Sequence, residues 1–284
     1  MISFSNCKIN LGLYITAKRN DGFHDLESVF YPVAWNDAIE IELGNSTTSK
    51  FELLEYNSSV TSNVKENLCY KAYALLDAKY NLPAVKLHLL KTIPAGAGLG
   101  GGSSNASHTL KLLNTFFNLT ISSQELCAYA AQLGSDCPFF IDNIPAYVTG
   151  RGEKLTPIDI DLSAYSILLI NPGIHISTAE AFSKINPTPL DFNLKEKIRS
   201  TPVGEWKSFL KNDFEKSAIE KHSLIGEIKE TMYANGALYA SMSGSGSTVF
   251  GIFEDHKQAE STLAKFNTFK SKLVYSTNYL SEFI

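Results

Sequence analysis

The feature of this sequence that most restricts its fold is a glycine-rich run at residues 94–107, PAGAGLGGGSSNAS. Glycine lets a backbone adopt positive φ angles and approach a ligand closely. A helix is predicted to start near Ser103, because Ala106, Leu110 and Leu113 lie on one helical face, and a helix N-terminus presents free amides and a positive dipole end. With a strand predicted directly before the run, the pattern favours a phosphate-binding loop over a flexible linker or an ordinary turn.

The other predicted elements follow one another in mixed order. Apolar alternation predicts strands at residues 4–16, 38–43, 50–54, 85–90, 165–170 and 273–276, the second and third as antiparallel pieces, and short strands on both sides of residues 243–248. Capping residues and helical spacing predict helices that begin at Asn63, Ser122 and Ser177 and a helix over residues 218–235, and an amphipathic stretch follows at residues 255–266. This order favours an α+β fold over a doubly wound parallel sheet, with a domain boundary near residue 155.

Composition excludes several classes of protein. The chain has 284 residues, of which 44% are hydrophobic and 19% are charged, as in an ordinary globular protein. A chain of this length buries enough apolar surface to fold without a disulfide or a structural metal. The formal net charge of -4 argues against broad binding to nucleic acid or to an anionic membrane, although a local basic pocket for a small phosphate ligand is compatible with it.

The distribution of apolar and cysteine residues predicts a cytoplasmic location. No run of about 18 apolar residues is present, and Lys8 and Asn10 interrupt the N-terminal region where a secretory signal would need an apolar stretch. The four cysteines form neither a CxxC pair nor a zinc spacing; they are Cys7, Cys69, Cys127 and Cys137. Free thiols in a reducing compartment are therefore expected.

Two familiar phosphate-binding motifs do not explain the glycine-rich run. Gly96, Gly98 and Gly101 fit GxGxxG, but the segment lies far into the chain and no acidic residue stands near position 121 to bind a ribose hydroxyl. An NAD-binding oxidoreductase is therefore a weak alternative. Gly102 occupies the place of the Walker A lysine, so a phosphate-transfer enzyme with this loop needs a cation from elsewhere in the chain.

Four segments together resemble one family of kinases. The glycine-rich run is similar to the phosphate loop of the GHMP kinase superfamily, which includes galactokinase, homoserine kinase, mevalonate kinase and phosphomevalonate kinase. Its form GLGGGSSNA resembles the branch represented by 4-diphosphocytidyl-2-C-methyl-D-erythritol kinase, of the non-mevalonate isoprenoid pathway. Three further segments resemble the same branch: CKINLGLYI with RNDGFH at residues 7–15 and 19–24, LGSDCPFF at residues 133–140, and SGSGST at residues 243–248.

The resemblance implies a fold, an activity and two cofactors. It implies a two-domain GHMP-kinase-like α+β fold with an active-site cleft between the domains. Residues 1–155 would form the N-terminal ATP-binding and catalytic domain, and residues 156–284 the C-terminal GHMP-kinase domain. The implied reaction is phosphorylation of the 2-hydroxyl of 4-diphosphocytidyl-2-C-methyl-D-erythritol with ATP and Mg²⁺.

The resemblance assigns the chemistry to Lys8 and Asp136. A loop aspartate close to a proline is ordinarily a turn residue, and a lysine in an apolar strand ordinarily extends its amine to the surface. The resemblance instead makes Asp136 the group that orients or deprotonates the attacking hydroxyl. It places Lys8 beside Asp136, where it would stabilise negative charge and supply the cation that the loop lacks.

The resemblance also assigns the ATP contacts. The loop residues assigned to ATP are Pro94, Ala95, Gly96, Ala97, Gly98, Leu99, Gly100, Gly101, Gly102, Ser103 and Ser104. Ser103 and Ser104 either help to hold the metal or phosphate or cap the helix, and Mg²⁺ would be carried mainly by the ATP phosphates. Asn67 and Lys91 are assigned to adenine, whereas their spacing alone indicates only a helix and a strand end.

The acceptor contacts are assigned to a third group of residues: Asn10, Phe23, His24, Thr178 and Phe182. Phe23 and Phe182 would stack on the cytosine and His24 would read its edge, although single aromatics are more often core residues. The family often has tyrosine at position 23, so a contact made by that hydroxyl is lost here. Thr178 binds the substrate or caps its helix. Gly244 and Gly246 would shape the cleft, or form only a tight hairpin.

The sequence leaves two other functions open. One is a GHMP kinase that acts on homoserine, mevalonate or a sugar; Phe23, His24 and Phe182 argue against it, because a small acceptor needs no base sandwich. The other is a non-catalytic nucleotide-binding module, which would need neither Lys8 nor Asp136. The expected partner is a small-molecule substrate with a cytidine diphosphate group, with no nucleic acid or membrane, and the protein is expected to be a monomer or homodimer.

Overall fold

The computed structural model of the chain describes residues 1–45, 49–57 and 63–275. These residues form two compact units, each built from separate stretches of chain. Unit 1 comprises Met1–Cys7, Trp35–Ala95 and Gly100–Ile144, and unit 2 comprises Lys8–Ala34, Gly96–Leu99 and the described residues from Pro145 onward. Because strands and helices alternate irregularly in both, the predicted α+β class is confirmed.

Unit 1 contains a sheet around the strand that precedes the glycine-rich run. The first four strands of the chain are β1 (Ile2–Lys18), β2 (His24–Leu43), β3 (Phe51–Tyr56) and β4 (Val85–Leu90). In unit 1, β4 pairs antiparallel with residues 38–43 of β2 and parallel with β3. The predicted strands are confirmed, but the antiparallel expectation is wrong for β3. A helix connects β3 to β4, and such a crossover returns the chain in the same direction.

Helices cover one face of this sheet. They are α1 (Leu68–Tyr80), α2 (Gly101–Phe116), α3 (Ser123–Leu133) and the short α4 (Phe139–Asp142). Their apolar side chains pack on those of β2 and β4, and the buried cluster includes Ile39, Ile41, Leu87, Leu89, Ala72, Leu76, Ala106, Leu110, Leu113, Leu126 and Ala130. The capping box that predicts α3 is formed by Ser122 and Glu125. The position of α2, which begins directly after Gly100, is thus fixed by its buried face.

Two predicted helix starts in unit 1 are displaced. Asn63 caps only a 3-10 turn, Val64–Glu66, and α1 begins later because Asn67 Oδ1 accepts a hydrogen bond from Cys69 N at 2.9 Å. The helix expected near Ser103 already begins at Gly101, since Gly100 serves as its N-cap in the left-handed region. A glycine cap leaves no side chain from which the boundary could be predicted.

Unit 2 contains a second, antiparallel sheet. Its strands have the order β10 (Lys270–Tyr275), β7 (Ser166–Asn171), β9 (Val249–Phe253), β8 (Tyr239–Met242). These bounds confirm the predicted strands at 165–170 and beside 243–248; Ser276, the end of the last predicted strand, lies outside the described residues. Within unit 2, β5 (Ala146–Thr149) pairs with residues 28–30 of β2 and with β6 (Lys154–Pro157).

Among the described residues, five helices belong to unit 2: α5 (Thr178–Ser183), α6 (Leu194–Ser200), α7 (Glu215–Lys221), α8 (Ser223–Ala234) and α9 (His256–Ala264). A buried cluster joins α8 and α9 to the sheet through Leu168, Ile170, Val249, Phe253, Ile225, Ile228, Met232 and Ala259. The amphipathic stretch at residues 255–266 contains α9. Every helix in the described part of the chain is too short or too polar to span a lipid bilayer.

Two predictions about helices in unit 2 are wrong in detail. The helix predicted over 218–235 is two helices, because His222 has an extended ψ of 82°. The break lets α8 pack on α7 at Gly226, where an added Cβ would lie 3.0 Å from Ile219 Cγ2. The capping box predicted at Ser177 is not formed in the described structure, since Glu180 instead pairs with Lys221 Nζ at 2.6 Å.

Candidate functional site

The glycine-rich loop has a backbone path that requires glycine. Gly96, Gly98 and Gly100 have φ angles of 62°, 78° and 69°. Residues with a Cβ rarely adopt this left-handed region, and alternation with Ala97 and Leu99 produces a tightly folded loop. Ala97 and Leu99 are buried, so the loop is anchored by these two side chains.

The second glycine motif, SGSGST at residues 243–248, holds the middle of this loop within unit 2. Thr248 N donates a hydrogen bond to the Ala97 carbonyl at 3.3 Å, and Ser243 Oγ donates to the Gly98 carbonyl at 2.9 Å. A Cβ atom on Gly98 would lie 1.9 Å from the Ser243 carbonyl oxygen. The two glycine motifs therefore touch through their backbones, which neither motif predicts by itself.

The second motif is in turn fixed by an asparagine that sequence reasoning missed. Asn212 Nδ2 donates hydrogen bonds to the carbonyls of Met242 and Gly244, each at 2.8 Å. Gly244 lies against the loop, because a Cβ there would come within 3.0 Å of the Gly98 carbonyl oxygen, and a Cβ on Gly246 would lie 2.6 Å from Met242 Sδ. Both glycines are thus needed for close packing. The polar NDFE sequence just before α7 is the signal that marks Asn212.

Lys8 is attached to the same loop. Its side chain is buried, with 3% exposure, so an interpretation as a surface lysine is wrong. Lys8 N donates to the Leu99 carbonyl at 2.9 Å, and Lys8 Nζ donates to Asn10 Oδ1 at 2.7 Å. Asn10 Nδ2 donates to Ser28 Oγ at 2.9 Å, and Lys8 Nζ lies 4.4 Å from the centre of the Phe30 ring. Because alternate residues of a strand share a face, Asn10 holds the lysine amine in place.

Asp136 lies in unit 1, in the turn between α3 and α4, and is half-buried. Cys137 N donates to the Gly134 carbonyl at 3.1 Å, and Ser107 Oγ of α2 donates to the Cys137 carbonyl at 2.6 Å. Burial raises the pKa of the Cys137 thiol to about 12, so this cysteine is neutral at physiological pH. Asp136 is therefore carried by an anchored turn. Lys8 belongs to unit 2, and the predicted partnership of the two residues stays a prediction.

The first turn of α2 supplies groups suited to phosphate. Ser104 Oγ is buried and has no hydrogen-bond partner among the described residues, whereas the Ser103 hydroxyl bonds to the Cys137 thiol. Gly100 is the N-cap, so an interpretation of either serine as the cap is wrong. An unpartnered hydroxyl beside free helix amides fits a phosphate oxygen, because a buried hydroxyl without a partner is costly.

The side chains of Asn67 and Lys91 have partners within unit 1. Asn67 caps α1 and donates to Glu55 Oε1 at 3.2 Å. Lys91 Nζ forms a buried ion pair with Asp37 and donates to Asn105 Oδ1 at 2.9 Å. A contact of either side chain with adenine would compete with these bonds, so their predicted role remains a proposal. Asp37 was missed because Glu40 and Glu42 follow it on the same strand, and the sequence does not distinguish it from them.

Unit 2 brings together two of the predicted acceptor residues. The rings of His24 and Phe182 stack with centres 4.9 Å apart and an angle of 21° between their planes. Phe214 packs edge-on against Phe182 at the same distance. Thr178 is the first residue of α5 and its Oγ1 lies 3.3 Å from Ser245 Oγ, so it does not cap the helix. His24, rather than Phe23, is thus the ring that covers Phe182.

Phe23 lies at the tip of the turn that joins β1 to β2. It is 54% exposed, and Arg19 N donates to its carbonyl at 2.8 Å. The guanidinium of Arg151 lies 4.9 Å from the centre of its ring. A cation at this distance from a phenyl ring is attracted by the ring electrons. Arg151 was missed because it has no motif of its own; only the fold brings it to Phe23.

Comparison with known proteins decides the family. The GHMP kinases N terminal domain matches residues 67–151, and the GHMP kinases C terminal domain matches residues 194–272. A 4-diphosphocytidyl-2-C-methyl-D-erythritol kinase of Bacteroides thetaiotaomicron is 52% identical over 254 residues, covering 89% of this chain and 92% of the relative. The chain belongs to the 4-diphosphocytidyl-2-C-methyl-D-erythritol kinase family.

Other matches agree with this 4-diphosphocytidyl-2-C-methyl-D-erythritol kinase family. The enzyme of that name from Parabacteroides distasonis is 47% identical over 254 residues, 89% of this chain and 92% of the relative. A crystal structure of 4-(cytidine 5'-diphospho)-2C-methyl-D-erythritol kinase matches with a TM-score of 0.80 and 28% identity, covering 96% of this chain and 98% of that one. Methanococcus jannaschii mevalonate kinase, with a TM-score of 0.68 and 14% identity over 98% of both chains, shares the fold. The predicted family, GHMP-kinase fold and kinase class are confirmed.

Proposed function

We propose that the chain transfers the γ-phosphoryl group of ATP to the 2-hydroxyl of 4-diphosphocytidyl-2-C-methyl-D-erythritol. The observation that carries the proposal is the 52% identity, over 89% of the chain, to a relative named for that substrate. The attachment of buried Lys8 to the glycine-rich loop supports it, because phosphoryl transfer requires a cation held beside a phosphate-binding backbone.

ATP and Mg²⁺ fit the groups that the loop and α2 offer. The positive-φ glycines let the backbone approach the phosphates, and the unpartnered Ser104 hydroxyl gives a phosphate oxygen a donor. No protein ligand is assigned to the metal. When bound, Mg²⁺ would neutralise charge on the ATP phosphates, and the phosphate oxygens would be most of its ligands.

Asp136 and Lys8 would have different roles in the reaction. Asp136 would accept the proton of the 2-hydroxyl as that oxygen attacks the γ-phosphorus atom and the bond from this atom to the β–γ bridging oxygen breaks, which releases ADP. Lys8 Nζ, oriented by Asn10, would stabilise negative charge on the transferring group. We also propose that residues 1–155 form the ATP-binding and catalytic domain and residues 156–284 the C-terminal domain, a division supported by family matches on either side of residue 155.

Cytosine recognition is proposed for unit 2. The stacked rings of His24 and Phe182 offer an aromatic surface and an imidazole that can bond to the edge of a base. Phe23 offers a second, exposed ring whose other face is near the Arg151 guanidinium. Stacking on such rings tolerates any base, so the hydrogen bonds from His24 would supply the preference for cytosine.

The activity is tested by measuring acceptor-dependent ADP release in a coupled assay. We expect release from ATP with the cytidyl substrate, and none above background with homoserine, mevalonate or galactose. Phosphorus NMR of the product should show that the new phosphate group is on the 2-hydroxyl. Turnover of homoserine without turnover of the cytidyl substrate would overturn the proposal, and nucleotide binding without any turnover would favour a binding module.

The acceptor site is tested with Phe182→Ala. We expect the KM for the cytidyl substrate to rise by about 5- to 150-fold, because one base–aromatic stack is worth about 1–3 kcal/mol. The KM for ATP should stay unchanged, as measured by steady-state kinetics. Phe192→Ala is the matched control, since Phe192 is another half-buried phenylalanine of unit 2 without a proposed substrate role. Equal effects of the two variants would argue against a stack on Phe182.

A further inference from the structure

Asp37 is a buried carboxylate without a role in the reaction described above. It lies on β2 in unit 1 and has 0% exposure. Oδ1 accepts hydrogen bonds from Thr92 N at 2.7 Å and from Ile93 N at 2.9 Å. Oδ2 accepts a hydrogen bond from Asn105 Nδ2 at 2.9 Å and forms the ion pair with Lys91. Four donors thus converge on one carboxylate.

These donors lie at both ends of the glycine-rich loop. Thr92 and Ile93 directly precede Pro94, where the loop begins, and Asn105 lies in the second turn of α2, the helix that starts at Gly101, where the loop ends. The two ends also touch each other, since a Cβ on Gly101 would lie 2.9 Å from Ile93 Cγ2. Asp37 Oδ1 therefore holds the N-terminal, or entering, end of the loop through two amides. Asp37 Oδ2 bonds to Asn105 at its C-terminal, or leaving, end.

The strand pairing explains why a side chain is needed here. Antiparallel pairing of β2 with β4 ends at Ala38 and Leu90, so the residues after Leu90 have left the ladder. The amides of Thr92 and Ile93 would then be buried without strand partners, and the Asp37 carboxylate takes the place of the missing carbonyls. Lys91 compensates the negative charge of the Asp37 carboxylate, because a buried charge is stable only beside an opposite one.

We propose that Asp37 is a positioning residue for nucleotide binding: it holds the two ends of the phosphate loop at a fixed separation. A loop whose ends are fixed loses less conformational freedom when it closes on a ligand, so its affinity for a nucleotide is higher. This proposal rests on the proposed function, because it assumes that the loop binds the phosphates of ATP. Asp37 itself touches no reacting atom.

The test uses two variants on α2. Asn105→Ala removes the bond between Asp37 and the leaving end, together with the bonds of Asn105 to Lys91 Nζ and Ser5 Oγ, but keeps the ion pair of Asp37 with Lys91. Asn114→Ala is the matched control: its side chain also holds the backbone, donating to the Ile121 carbonyl at 3.0 Å and accepting from Ile121 N at 2.9 Å, but it lies away from the loop. Thermal midpoints measure the stability that each variant loses, and calorimetry measures MgADP binding.

We expect Asn105→Ala to weaken MgADP binding by about tenfold or more, because its bonds to the charged groups of Asp37 and Lys91 are both lost, and Asn114→Ala to leave it unchanged. Asp37→Asn should weaken it as well, because its amide group would face Asn105 and Lys91 as a donor. Binding of the cytidyl substrate should not change in any variant. Equal MgADP affinity in Asn105→Ala and Asn114→Ala would overturn the proposal.

Hydrogen exchange without nucleotide separates this proposal from the proposed function. We expect faster amide exchange over residues 92–104 in Asn105→Ala than in the unchanged protein, and no such change in Asn114→Ala. Unchanged exchange in Asn105→Ala would overturn the positioning role even if the enzyme binds MgADP. If the unchanged protein binds no MgADP, the proposed function fails and the role of Asp37 in nucleotide binding fails with it, whatever the exchange shows about the loop.

Discussion

Asp136→Asn is expected to lower kcat by about 10²–10⁴-fold, the range contributed by a positioned general base. Asparagine keeps the size of the side chain and one acceptor oxygen, but its amide cannot take up the proton of the attacking hydroxyl. The affinities for ATP and for the cytidyl substrate should remain close to those of the unchanged enzyme. Rapid-quench measurement of a single turnover shows whether the loss lies in the chemical step.

The turn that carries Asp136 should survive this substitution. The bonds from Ser107 Oγ to the Cys137 carbonyl and from Cys137 N to the Gly134 carbonyl involve no Asp136 side-chain atom. Ser135→Ala is the control in the same turn, because Ser135 is exposed and has no proposed role. Ordinary turnover by folded Asp136→Asn would remove Asp136 from the mechanism.

Gly98→Ala is expected to weaken ATP binding by on the order of a hundredfold or more, because strain of several kcal/mol would fall on the phosphate loop. The φ angle of 78° is unfavourable for alanine. The added Cβ would also lie 1.9 Å from the Ser243 carbonyl oxygen, so one of the two glycine motifs must move. Calorimetric titration with MgADP measures the loss.

Gly173→Ala separates the effect of the positive φ angle from the effect of the close contact with Ser243. Gly173 has a similar φ of 75°, but a Cβ there would meet no atom within 4 Å. We expect it to cost about 1–2 kcal/mol of stability, measured by denaturant unfolding, with no change in MgADP affinity. If Gly98→Ala bound MgADP normally, the contact between the two glycine motifs would have no role in nucleotide binding.

The parts of the fold that the sequence predicts well are those set by neighbours along the chain. Ser122 and Glu125 form their capping box because three residues separate a cap from its partner in every helix. Strand β4 has the predicted bounds, since its apolar alternation is regular and a proline follows it. Gly96, Gly98 and Gly100 of the loop adopt positive φ, which is the property that made the glycines informative.

The predictions that fail depend on packing between distant segments. The single helix predicted over 218–235 breaks at His222, where Gly226 of α8 packs against Ile219 of α7. Helical spacing continues across this break, so periodicity does not reveal it. The stacking of His24 on Phe182 is likewise a contact between distant segments, and the cytosine sandwich of Phe23 and Phe182 stays a prediction.

By itself, the sequence determined the α+β class, the glycine-rich loop and the kinase family, because caps, periodicity and motif order are properties of the linear chain. Only the tertiary structure decided that Asp37 holds both ends of the loop and that Ser243 and Lys8 hold its middle. These contacts join residues far apart in sequence. Their formation depends on strand register and on close packing, which short-range patterns do not encode.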